Sequence, residues 1–122
     1  MLIALLTILL LGGSATGMLD FIADSQDTVK VVMEKDDRRK EVLATLKETK
    51  KRTDAFNKVV KRTSKDMSKI LSSDDVTDAD IDTIWDTYSS ARAAYNQDML
   101  DLRYQLRDQM TREEWHQVFS AN

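Results

Sequence analysis

No proline and no cysteine occur in this chain of 122 residues, and its three glycines, Gly12, Gly13 and Gly17, all fall near the start. From residue 18 onward nothing disfavours a helix through proline or glycine backbone effects. The absence of cysteine excludes disulfides, thiolate metal sites, cysteine catalysis and a lipid-modified cysteine anchor. Runs of β-branched and aromatic residues bounded by turn residues, the mark of strands, are missing as well. An all-α fold is expected.

Charge is plentiful but unevenly placed. The formal net charge is −3. Residues 1–27 carry three acids and no base; residues 28–71 carry 14 Lys/Arg against 7 Asp/Glu; residues 72–122 carry 4 Arg against 11 acids. A basic middle followed by an acidic end predicts two segments that face and neutralise each other.

Residues 1–19 are uncharged, and Leu2-Ile3-Ala4-Leu5-Leu6-Thr7-Ile8-Leu9-Leu10-Leu11 is densely apolar. Two readings fit. A cleaved signal peptide would use the small residues Gly13-Ser14-Ala15 as its cleavage region. A retained anchor would run on through Phe21-Ile22-Ala23 and reach the ~20 residues that span a bilayer core. The lack of Lys or Arg before the run favours the anchor. So does Gly13-Ser14-Ala15-Thr16-Gly17, whose G-x-x-x-G spacing lets two membrane helices approach, with Gly13 and Gly17 as the packing residues. The expected organisation is an anchor or signal helix at 1–23, a charged helical spacer at 24–41 and an extramembrane helical hairpin with a lid helix at 42–122.

Residues 18–71 read as one very long helix or two segments with a soft joint. All eight residues from 34 to 41 are charged, so that stretch predicts a solvated spacer, lifting the hairpin off the membrane by roughly 10–15 Å at 1.5 Å per residue. Beyond it Val42, Leu46, Thr49, Thr53, Phe56, Val60, Thr63, Met67 and Ile70 alternate steps of four and three, the coiled-coil period. Ser72-Ser73-Asp74-Asp75-Val76 predicts a polar turn, and Thr77 with Asp80 a capping-box start for the next helix. That helix carries its own seam, Ile81, Ile84, Tyr88, Ala91, Tyr95, Met99, Leu102 and Leu106, then Gln109 or Met110, with Trp85 beside it. An antiparallel hairpin follows. Thr111-Arg112-Glu113-Glu114 is a second capping box, opening a short helix whose apolar face is Trp115, Val118 and Phe119. Because so small a hairpin buries little apolar surface, Trp85, Trp115 and Phe119 are expected to pack on a partner.

Catalytic and ligand chemistry finds no foothold. His116 has Glu113 three residues before it, but a lone surface histidine near a terminus points to no metal site. Methionines Met33, Met67, Met99 and Met110 sit singly at seam-like positions, as core filling does. The basic run Lys47, Lys50, Lys51, Arg52, Lys58, Lys61, Arg62, Lys65 and Lys69 reads as a solvated helix face beside an acidic partner helix, and no nucleic-acid partner is expected. No cofactor, metal, small-molecule substrate or enzymatic activity is expected.

The segment Met110-Thr111-Arg112-Glu113-Glu114 resembles the L-T-x-x-Q motif of Spy-type and CpxP-type periplasmic helical proteins, with Met for Leu and Glu for Gln. That resemblance implies a helical hairpin acting as an envelope-stress chaperone or metal-responsive sensor. The residues themselves imply a non-catalytic, single-pass protein of the inner membrane with its helical body on the periplasmic or another extracytoplasmic side. There it would serve as an accessory or structural subunit of a larger assembly, bound to other membrane subunits or to its own copies.

Overall fold

The computed structural model describes residues 14–119, which form four helices and no strand. Helix α1 spans Ser14–Val32, α2 Asp37–Leu71, α3 Asp78–Gln109 and α4 Arg112–Phe119. Helix α2 is the axis: α3 packs along it, α1 folds back onto its first half, and α4 lies on α1.

The α2–α3 hairpin follows the expected seam. Val42, Leu46, Thr49, Thr53, Thr63 and Met67 are buried on α2, and Phe56, Val60 and Ile70 half-buried. On α3, Tyr88, Leu102 and Leu106 are buried and the remaining seam residues half-buried. The threonines do not weaken the seam by burying idle hydroxyls. Thr49 and Thr53 donate to the carbonyls four residues back at 2.8 and 2.9 Å, and Thr63 donates to that of Val59 at 2.8 Å. Their methyl groups are left to pack. Register is set by polar and aromatic pairs: Thr45 Oγ1 meets Gln109 Oε1 at 2.9 Å, Thr53 Oγ1 meets the Tyr95 hydroxyl at 2.9 Å, and Phe56 stacks on Tyr95 at 4.5 Å.

The expected turn and caps are present. Thr77 Oγ1 accepts from Asp80 N at 3.2 Å while Asp80 Oδ2 accepts from Thr77 N at 3.1 Å, a complete capping box opening α3.

The start of the chain departs from expectation. Of the two readings of residues 18–71, the two-segment one holds, but the joint is a reversal of the chain inside the expected spacer rather than a soft bend. Helix α1 ends at Val32, residues 33–36 reverse the chain, and Asp36 restarts it as N-cap of α2, its carboxylate accepting from Arg39 N at 3.0 Å. The Arg39 side chain reaches back to the Lys30 carbonyl at 3.2 Å, satisfying the end of α1. The physical reason is burial. Ile22, Val29 and Met33 are 1%, 0% and 3% exposed, in one core with Val42, Leu46, Leu106, Met110 and Val118. Three such side chains gain roughly 5–9 kcal/mol when withdrawn from water, against a few intrahelical hydrogen bonds at about 1 kcal/mol net each. The reversal wins.

Ser14 to Ala23, the described part of the expected 1–23 anchor, therefore belongs to a bundle helix, with Ile22 in its core. No helix among the described residues is long and apolar enough to cross a membrane. Residues 1–13, with the apolar run and Gly13, lie outside the described residues. Gly17 is exposed on α1, and a Cβ there would meet nothing within 4 Å.

Candidate docking groove

Helices α1 and α3 flank the first half of α2 and leave a groove of about 570 Å³ between them. Leu46, Thr49, Leu102 and Leu106 form its floor, Met18, Phe21 and Ile22 line the α1 side, and Met99, Leu100 and Arg103 line the α3 side. Trp115 and Phe119 of α4 close one end, packed on each other at 4.6 Å, with Phe119 against Phe21 at 5.9 Å. A second recess of about 570 Å³ adjoins it, sharing Leu100, Arg103 and Trp115 and adding Tyr104, Arg107, Met110, Thr111 and Arg112.

Two features set this face apart. Phe21, Leu100 and Tyr104, at 46%, 46% and 50% exposure, are three of the five large apolar side chains left exposed among the described residues. No Lys, Asp or Glu lines either recess, although 32% of the chain is charged. Two of the three arginines there lie over aromatic rings: Arg103 is 5.9 Å from the Trp115 ring centroid and Arg107 5.2 Å from that of Tyr104.

Helix α4 is fixed in place through one carboxylate. Glu114 is the far member of the Thr111 capping box: Oε1 accepts from Thr111 N at 2.8 Å, and Glu114 N donates to Thr111 Oγ1 at 3.1 Å. The Arg38 guanidinium, at the start of α2, donates to both carboxylate oxygens, with Nη2 to Oε2 at 2.8 Å. These Arg38 hydrogen bonds, assisted by those from Thr111 and opposed by partial burial, hold the Glu114 carboxyl below its ordinary pKa. The residues of the L-T-x-x-Q-like segment thus seat α4, and the next residue, Trp115, reaches the groove.

No family model, curated protein or solved structure matches the chain.

Two predictions arise here. Because folding depresses the Glu114 pKa, its stabilising contribution is full above the unfolded carboxyl value, about 4.3, and is lost as pH falls through the lower folded value. Glu114→Gln is expected to flatten the dependence of thermal stability on pH below that point, as read by circular dichroism melts. An unchanged acid limb would remove the ion pair from the account. Thr111→Ala is expected to cost about 1 kcal/mol and to shift Trp115 fluorescence to the red as α4 loosens.

Of the packing residues expected from sequence, Trp115 and Phe119 come together in the groove. Trp85 lies apart on the distal half of the hairpin, half-buried and 5.6 Å from Tyr88. Phe21, Leu100 and the convergence of Arg103, Arg107 and Arg112 were not expected. A signal existed: Leu100 and Tyr104 are apolar residues four apart and off the seam, and Arg103 and Arg107 are bases four apart in an acidic helix. His116 and Glu113 are both exposed, and no group of three potential metal ligands occurs among the described residues. Along the basic run, Lys47, Lys50, Lys51, Lys58 and Arg62 line a shallow depression that also contains Glu48 and Asp54. Arg52 is paired with Glu48 at 2.9 Å and Asp98 at 3.3 Å.

Proposed function

We propose that this chain is a non-catalytic docking protein, an accessory or structural subunit of a larger membrane assembly, which receives a partner in the groove between α1 and α3. The observation that carries the reading is the composition of the groove. Aromatic residues, methionine and arginine are the types enriched at protein interfaces, and Lys, Asp and Glu the types depleted there; exposed apolar residues gathered on one face point the same way. In this reading the uncharged apolar run of residues 1–13, shorter than the ~20 residues that span a bilayer core, holds the bundle at the inner membrane by dipping into one leaflet, with the groove on the extracytoplasmic side. The support for this attachment is the apolar character of Leu2 to Leu11.

The test is co-purification of the full chain in mild detergent. Leu100→Asp alters an exposed position of the groove wall, so the fold is expected to survive while a partner of fixed stoichiometry is lost. Undiminished recovery of that partner would show that the groove is not its seat. A freely diffusing chaperone or stress sensor of the Spy and CpxP type is the second reading, favoured by the L-T-x-x-Q-like segment that caps α4. It predicts a soluble chain starting near Thr16 and many loosely held clients instead of one.

A further inference from the structure

We infer that the occupant of the groove is an amphipathic helix of a partner protein, with an apolar stripe on one face and carboxylates along its flank. The inference rests on the docking reading and adds the chemistry of the partner. Helices α1 and α3 each run antiparallel to α2, so the open channel between them has the place of a fourth bundle helix. On α3 it extends over residues 96–106, about 15 Å at 1.5 Å per residue, or close to three turns of an incoming helix. Three turns present apolar anchors at i, i+3 or i+4, and i+7, the pattern by which a helix fills a hydrophobic groove.

The flank is specified by charge. Arg103, Arg107 and Arg112 meet at the adjoining recess with no carboxylate in its lining. None of the three is in an ion pair among the described residues, whose salt bridges are those of Arg38 and Arg52. This is notable in a segment where acids outnumber bases 11 to 4. Of the nearby acids, Asp98 pairs with Arg52 and Asp101 accepts from Gln97 at 3.0 Å, while Asp108 and Glu113 are exposed and line neither recess. The Arg103 and Arg107 guanidinium groups lie over Trp115 and Tyr104 without an ion-pair partner among the described residues, and a guanidinium fork matches a carboxylate in two parallel hydrogen bonds, as an ammonium does not.

The test uses the full chain in zwitterionic-lipid nanodiscs, with Trp85→Phe leaving Trp115 as the reporter. Two synthetic helical peptides share one leucine stripe and a central quencher and differ only in flanking residues, Glu in one and Lys in the other. The Glu-flanked peptide is expected to quench Trp115 and to bind at least about tenfold more tightly at low salt, since close charge pairs across interfaces couple by more than about 1.4 kcal/mol. Combined Arg103→Gln, Arg107→Gln and Arg112→Gln should abolish that preference; Leu100→Asp, at an exposed position of the groove wall, should abolish binding of both peptides. Equal affinity of the two peptides would overturn the acidic helix while leaving docking intact if the detergent-extracted partner still depends on Leu100. A Trp115 response to anionic lipid alone, or a dimer of the chain that shields Trp115, would overturn it in favour of a lipid or a second copy.

Discussion

Leu46→Ala is expected to lower the free energy of unfolding by about 3 kcal/mol, within the 2–5 kcal/mol span for buried leucine truncations. Leu46 is 2% exposed and belongs to the core in which α1, α2, α3 and α4 all meet, with Ile22, Val29, Leu106 and Val118. It also forms part of the groove floor. The truncation therefore removes contacts to several helices at once, and helices held on separate sides of α2 cannot all close the gap. For a body of about 100 residues each kcal/mol moves the melting temperature by roughly 4–8 °C, so a fall of more than ten degrees is expected by circular dichroism. Leu100→Ala is the comparison. Leu100 is 46% exposed, and truncation there should shift stability by under about 0.5 kcal/mol. Similar melts for the two variants would contradict the placement of the core.

Ile22→Asp is expected to release α1 from the bundle. The site is 1% exposed and apolar, and an ionised carboxylate without a partner in such surroundings costs several kcal/mol. Helix α4, which lies on α1 through Phe21 and Phe119, should loosen with it. The α2–α3 hairpin keeps its seam and its polar pairs. By hydrogen exchange, protection should fall first across residues 18–33 and 112–119 while the seam residues of α2 and α3 retain theirs. Ala23→Asp, one residue on and exposed, is the control and should leave protection unchanged. Undisturbed protection in Ile22→Asp would remove α1 from the core.

The hairpin and both capping boxes were legible in the sequence because each rests on a regularity of short range. A period of 3.5 residues places a stripe on one side of a helix whatever lies opposite it. A Thr with a carboxylate three residues later closes its own hydrogen bonds. Thr77 with Asp80 and Thr111 with Glu114 therefore sit where their spacing puts them.

The reversal at residues 33–36 was not legible in the same way. Asp36 is one of eight consecutive charged residues, and nothing local distinguishes it as the N-cap. The choice was made by Ile22, Val29 and Met33 finding a core on α2. Hydropathy could not reveal this, because an apolar stripe leaves water equally well for lipid or for the inside of a bundle. The groove has the same origin. Leu100, Arg103 and Tyr104 could be read as off-seam residues of α3, but only the direction of α4, set by the Arg38–Glu114 pair, brings Arg112 and Trp115 beside them. Sequence alone determined the helical character, the capping boxes at Thr77 and Thr111 and the hairpin seam, through spacing within one helix or turn. The packing of α1 and α4 on α2 decided which apolar residues became core and which were left open to a partner, because burial depends on what arrives from elsewhere in the chain.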